Sequence, residues 1–584
     1  MNYLDVARAY QEIEGTGSRL EMTDYLTDLL RDTPRELLGK IVYLTQGKLY
    51  PDFLGVEIGI ADKLAIKAVA RAAGFSDEDV TRDFGRTGDL GETAQKLLSE
   101  KKPRVGKLLQ VEEVYDTLDK IAKTSGPGTI EIKMNLLSTL LQKASPVEAK
   151  YIIRTAMGKL RLGIADMTML DALSIVYGGG KHVRKEVERA YNISSDLGAV
   201  ATTIASKGLE GIRRFGVSVG KPIRPMLAER LPSAAEILGK MGGRCAAEYK
   251  YDGERLQIHK ICPGVVLFSR RLENITHQYP EVADLVREHV KAENAILEGE
   301  CVAVDLDTGE LKSFQELMHR RRKYGIKEAM ELYPISIFLF DLLYVDGRDL
   351  TTRSYPKRRK ELERVVETSE RVKLTIAEVV ENEDELEKFF QKAIEEGCEG
   401  LVCKSVLPGA LYRAGARGYL WIKYKREYKS EMADTVDLAV VGAFLGRGRR
   451  AGTYGSLLLA AYDPEKDTFF TATKLGAGLT DRDLVELPKM LKDSVISHPH
   501  PRVNSLLKAD VWVAPSLVME IIGAEITLSP IHTAAWDRIR KGSGLAIRFP
   551  RFTGNYRLDK APEDATTVRE IIEMYQSKLA KVSQ

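Results

Sequence analysis

The segment Glu248-Tyr249-Lys250-Tyr251-Asp252-Gly253-Glu254-Arg255 gathers groups able to do phosphoryl chemistry. An apolar strand running in from Cys245 ends there, and Asp252-Gly253 supplies a turn. Strand alternation puts Glu248 and Lys250 on one face. A free lysine titrates near ~10.4 and is a poor nucleophile at neutral pH. Burial, a metal or a neighbouring cation such as Arg255 would release its amine. The same residues also fit a surface ion pair at a strand end. A lone Lys-x-Asp-Gly arises by chance roughly 0.2 times in a chain of this length.

Several elements must position this lysine. With 584 residues and a hydrophobic fraction of 44%, the chain can build three or four cores. Residues 1–215 read as an all-α domain. Ile60, Ala61, Leu64, Ala65, Ala68, Val69 and Ala72 form one helical stripe, and similar patterns cover Val111–Ala122, Ile130–Leu141 and Met167–Ile175. Lys221-Pro222-Ile223-Arg224-Pro225 then makes a stiff linker. Residues 216–429 mix elements: strands at Val265–Ser269, Ala295–Val304 and Ile335–Tyr344, helices at Tyr279–Lys291, Tyr355–Thr368 and Glu383–Glu396. In residues 430–584, strands at Thr435–Leu445, Leu457–Tyr462, Thr468–Lys474 and Val511–Ile522 suggest a small β-barrel, closed by a helix at Thr567–Lys581.

Further segments complete a set. Ser269-Arg270-Arg271-Leu272-Glu273, Leu297-Glu298-Gly299-Glu300 and Phe338-Leu339-Phe340-Asp341-Leu342 follow in order. Cys398-Glu399-Gly400-Leu401-Val402-Cys403-Lys404, Trp421-Ile422-Lys423-Tyr424-Lys425 and Gly544-Leu545-Ala546-Ile547-Arg548-Phe549-Pro550-Arg551-Phe552 come next. With the Lys250 segment they resemble motif I, the motif that follows it, and motifs III, IIIa, IV, V and VI of the covalent nucleotidyltransferases: DNA ligases, RNA ligases and capping enzymes. The nearest resemblance is to the ATP-dependent DNA ligases of archaea and eukaryotes, and it covers nearly the whole chain. It implies a helical DNA-binding domain, an α+β adenylation domain and an OB-fold barrel.

The resemblance also implies roles. Lys250 would take AMP from ATP. Glu248 would contact adenine, Phe340 would stack on it, and Arg255 would meet the sugar–phosphate. Arg270 would hold a phosphate, with Arg417, Lys423 and Lys425 near the α-phosphate. Glu300 and Glu399 would direct Mg²⁺, and Arg548 and Arg551 would close over the pyrophosphate. Each has a plainer reading: Phe340 as strand core, Arg270-Arg271 as a surface pair, Glu399 as the end of an acidic helix. Two basic clusters, Arg154, Lys159 and Arg161 around Gly158, and Arg447, Arg449 and Arg450 in a glycine-rich loop, are expected DNA contacts or solvated surface. Thr553-Gly554-Asn555-Tyr556 departs from the more basic family pattern.

Composition bounds the rest. Lys and Arg number 87 against 84 Asp and Glu, a formal +3, which excludes a uniformly basic DNA coat but not a basic face. Between Leu411 and Ser430, six cations face only Glu427, a local +5. The five cysteines form no CxxC pair, so neither a zinc ribbon nor a disulfide frame is expected. No apolar run is long enough to span a membrane and no leader is visible. The resemblance implies a monomer in the cytoplasm, acting on nicked duplex DNA at the nucleoid. Gln95-Lys96-Leu97-Leu98 is the nearest candidate for sliding-clamp binding, although it lacks aromatics. The rival readings are an RNA ligase or capping guanylyltransferase, whose members usually lack the long helical segment, and a noncatalytic DNA-binding accessory protein, which would not need the Lys250, Glu300, Glu399 and Lys423 set.

Overall fold

The computed structural model describes residues 1–100, 108–305, 311–312, 314–318, 320, 325–425, 435–445, 453–523, 525–548 and 550–582. Up to Arg213 every regular element among them is helical, from Tyr3–Gly15 to Leu197–Arg213. The expected stripe lies on the helix Asp62–Ala73, where Ala65, Ala68, Val69 and Ala72 are buried in one large apolar core. Caps fix the helix starts. The Ser76 side chain accepts from the Asp79 N–H, and Asp89 accepts from the Gly91 N–H at 2.7 Å.

Asp89 explains a correction. Arg154 was expected at a phosphate, but its side chain is 4% exposed and bonded to Asp89 and Glu14 at 2.7 and 2.9 Å. It neutralises a buried helix cap, because an unpaired carboxylate there would be costly. A second correction concerns Leu97 and Leu98. They lie on the buried face of the helix Leu90–Ser99 and pack into the apolar core, so the clamp candidate around Gln95 lacks exposed apolar anchors.

The linker is fastened at both ends. Arg224 pairs with Asp166 at 3.1 Å and lies over the Tyr191 ring, while the Ile223 N–H donates to Gln257 at 2.7 Å. Beyond it, the described residues form eleven strands in chain order: β1 (Leu227–Arg230), β2 (Cys245–Lys250), β3 (Glu254–Ile261), β4 (Gly264–Phe268), β5 (Asn294–Ala303), β6 (Ile335–Val345), β7 (Arg348–Asp349), β8 (Val372–Leu374), β9 (Ala377–Val380), β10 (Gly400–Ser405) and β11 (Arg417–Lys425). They form two sheets. One has the order β1-β11-β10-β2-β9; the other has β4-β3-β5-β6-β7, with β8 beside β6. Helices Ala234–Met241 and Glu383–Glu395 cover the first sheet, and Pro280–His289 and Tyr355–Val365 cover the second. Ile223, Met226, Ile296, Leu343, Tyr412 and Trp421 pack between the sheets. Two glycines allow close approach. A Cβ at Gly253 would strike the Cys301 carbonyl, and one at Gly400 would strike that of Tyr424.

The last region is β-rich. Strands β12 (Thr435–Leu445), β13 (Tyr454–Asp463) and β14 (Thr468–Leu475) form an antiparallel meander. The expected strand Val511–Ile522 is two, Val511–Val513 and Val518–Ile522, because Pro515 lies between them and cannot donate to a ladder. The C-terminal helix runs Val568–Val582. Arg447, Arg449 and Arg450 lie outside the described residues.

Candidate nucleotide-transfer site

Strand β2 delivers Glu248 and Lys250 to a cleft between the sheets, as alternation requires. Two contiguous cavities open there, of about 390 and about 170 Å³. Both are lined by Lys250, Arg255, Arg270, Glu300, Glu399, Lys423 and Lys425. The smaller one adds Glu248, Phe340, Arg417 and Trp421. Residues far apart in sequence thus converge on one lysine.

Lys250 is ion-paired with Glu399, which also meets Lys425 at 2.9 Å. Glu399 does not belong to the acidic helix, which ends at Glu395. It sits on the approach to β10, where its N–H donates to the Lys250 carbonyl at 2.9 Å. That bond sets its carboxylate beside the lysine. Burial opposes its charge, yet Lys250 and Lys425 hold its pKa well below the usual range. Its neighbours move the other way. Burial pushes Glu300 up to about 8, and burial with the Glu399 charge pushes Asp252 up to about 6.

Crowded carboxyl oxygens of this kind suit a hard cation. Among the described residues no three His, Cys, Asp or Glu side chains make a self-sufficient metal site. Glu300 and Glu399 are the carboxylates of the cleft that could hold such a cation.

One end of the cleft carries two aromatic rings and is tightly held. Phe340 and Trp421 meet edge to face at 6.1 Å, and Arg255 lies over both rings at 5.4 Å. Arg255 is bonded to Glu298 at 2.9 Å and to the Met226 carbonyl at 2.8 Å. Glu248 is buried, accepts from the Tyr355 hydroxyl, and pairs with Lys404 at 2.7 Å.

The other end is closed by the C-terminal segment. Asp564 pairs with Arg270 at 3.0 Å. Glu570 meets Arg417 at 3.2 Å and Lys423 at 3.3 Å. Burial opposes Glu570's charge, but Lys423 and Arg417 hold its pKa far down. Burial draws Lys423 down to about 7, with nearby Arg417, Lys560 and Lys425 adding to it.

Family models then match along the chain: "DNA ligase N terminus" over residues 2–174, "ATP dependent DNA ligase domain" over 225–425 and "ATP dependent DNA ligase C terminal region" over 450–560. DNA ligase 2 of Thermofilum pendens is 55% identical, covering 99% of this chain and 97% of that protein. The DNA ligase of Staphylothermus marinus is 52% identical over the whole of both chains. A probable DNA ligase of Aquifex aeolicus is 52% identical, covering 98% of each. The chain belongs to the ATP-dependent DNA ligases.

In this ligase several expected residues lie away from the cleft. Arg548 and Arg551 are exposed and do not line either cavity; Arg557 and Lys560 line both. Lys159 pairs with Asp62 and Asp493, at 3.5 and 2.5 Å, and Arg161 with Asp89 at 3.0 Å. Their cations are thus committed to protein carboxylates, one of them in the β-rich region. Asp252 lines the larger cavity and Lys404 the smaller, and Tyr355 stands behind Glu248; by sequence Asp252 is only a turn residue and the other two carry no assigned role. Tyr355 could not be found by pattern, because it lies 107 positions from Glu248.

Proposed function

We propose that this cleft carries out nick sealing in three steps. The Lys250 amine attacks the α-phosphorus of ATP, forming a P–N bond as pyrophosphate leaves. The AMP passes to the 5′-phosphate of a nick, restoring the lysine. The nick's 3′-hydroxyl then attacks that phosphorus, makes the phosphodiester and displaces AMP. Such transfers need alignment and charge neutralisation more than covalent help. What supports this reading is the convergence of Lys250 with Glu399, Glu300, Arg270, Lys423 and Lys425 around one cavity.

Glu248 and Phe340 receive the adenine, Arg255 the sugar–phosphate, and Arg270, Arg417, Lys423 and Lys425 the phosphates. Glu300 and Glu399 would hold Mg²⁺, which would supply neutralisation of phosphate charge. Glu399 touches both Lys250 and Lys425 and so sets the two cations side by side. Arg548 and Arg551 reach the pyrophosphate only if the β-rich region rotates. Residues 1–215 act as the DNA-binding domain, 216–429 as the adenylation domain and 430–584 as an OB-fold domain, three parts of a monomer that surrounds nicked duplex DNA at the nucleoid.

The test uses α-labelled ATP with Mg²⁺, followed by nicked duplex DNA. Label should join the wild-type protein, pass to the 5′-phosphate and leave as AMP on sealing. A Lys250→Ala protein that still becomes labelled would sink the mechanism. Sealing of nicked RNA but not DNA would move the activity to RNA ligation.

A further inference from the structure

Lys404 is a costly residue where it stands. It is 1% exposed on β10, with its ammonium between the rings of Phe340, Tyr355 and Trp421 at 4.8, 4.8 and 4.6 Å. Its acceptors are the Glu248 carboxylate at 2.7 Å and the Phe340 carbonyl at 3.1 Å. A well-packed apolar residue would serve stability as well as or better than such a buried pair. The pair is explained if Glu248 needs a donor behind it.

We propose that Tyr355 and Lys404 are positioning residues that set the purine choice of the nucleotide site, by holding Glu248 as a hydrogen-bond acceptor for the 6-amino group of adenine. This rests on the reading that Glu248 faces the base.

The donor and acceptor count carries it. An ammonium only donates, so Oε2 of Glu248 accepts from Lys404. Oε1 accepts from the Tyr355 hydroxyl, with Arg359 Nη1 at 3.8 Å. Each oxygen keeps a lone pair, and a carboxylate held this way can only accept. A 6-aminopurine offers it an N–H. A 6-oxopurine sets one acceptor against another, and a purine with hydrogen at position 6 offers nothing.

The same small cavity is lined by Thr375. Its hydroxyl is buried and has no hydrogen-bond partner among the described residues. Its carbonyl accepts from Arg359 at 3.0 Å, which ties it to the Glu248 side of the cleft. Buried polar groups are normally satisfied, so an unpartnered hydroxyl here calls for a polar occupant such as the edge of a base.

The experiment compares enzyme adenylation by ATP and by purine riboside triphosphate, which differs only in lacking the 6-amino group. Wild type, Tyr355→Phe and Lys404→Met are measured, with melting temperatures alongside. Wild type should favour ATP in kcat/KM by roughly 10- to 150-fold, the worth of a hydrogen bond to a charged group. In both variants that preference should shrink at least about fivefold, through a higher KM for ATP and a nearly unchanged maximal rate. Should Lys404→Met not fold, Tyr355→Phe decides, since it loses one O–H and keeps the ring. Variants that lose activity equally with both triphosphates, and keep the wild-type preference, would overturn the proposal and leave Glu248's contact with the base intact. A wild type indifferent to the 6-amino group would instead overturn that contact, and the proposal with it.

Discussion

The two ends of the cleft are built on opposite plans. At the base end, charges are buried and paired within the sheets and the helix Tyr355–Val365 that packs on them: Glu248 with Lys404, Arg255 with Glu298, Asp341 with Arg358. At the phosphate end, the cations are paired with carboxylates brought by the C-terminal segment: Arg270 with Asp564, Arg417 and Lys423 with Glu570. Fixed pairs make a pocket that selects; borrowed pairs can be exchanged for a phosphate. Removing a charge should therefore cost stability at the first end and alter function at the second.

The largest effect is expected at the base end. Arg358 and Asp341 are both fully buried, so Arg358→Ala strands a carboxylate. Denaturant unfolding of that part should show a loss of about 3–5 kcal/mol. Next comes Glu399→Ala, which removes the carboxylate shared by Lys250 and Lys425. Adenylation under single turnover should fall on the order of 100-fold, with little change in melting. Glu570→Gln should act in the reverse direction. It frees Arg417 and Lys423 for phosphate, so KM for ATP should fall several-fold, about 1 kcal/mol, in a steady-state adenylation assay.

The smallest effect is on pH. The pKa values of Glu570 and Asp564 are depressed in the folded chain. Their contribution is complete above the ordinary carboxylate range, about pH 5, and is lost as pH falls through their lowered values. Protease sensitivity of the C-terminal helix should rise as the pH falls below about 5 and these two carboxylates lose their charge. Constant sensitivity down to about pH 2 would show that those ion pairs do not hold the segment.

Strand-borne chemistry was legible in the sequence because alternation is local. Glu248 and Lys250, or Lys423 and Lys425, share a face at any fold that makes them strands. The helical stripe at Asp62–Ala73 was legible for the same reason. What was not legible depends on distant partners. Arg154 looks like a surface cation until Asp89 and Glu14 fold over it. Gln95-Lys96-Leu97-Leu98 looks like an exposed peptide until its leucines join the core. Tyr355 and Lys404 carry no local pattern that marks them as the partners of Glu248. The cations at Arg417 and Lys423 do not reveal by spacing that Glu570, 153 positions from Arg417, will cover them.

The central claim is that Lys250, and no other lysine of the cleft, carries the AMP. The chemical rival is Lys423, because burial draws its pKa down to about 7 and so frees its amine near neutral pH. Peptide mapping by mass spectrometry after incubation with ATP and Mg²⁺, under conditions that preserve the P–N bond, separates the two directly. The expected result is one adenylylated peptide with AMP on Lys250, and none in Lys250→Ala. AMP found on Lys423, or on any residue other than Lys250, would contradict the account.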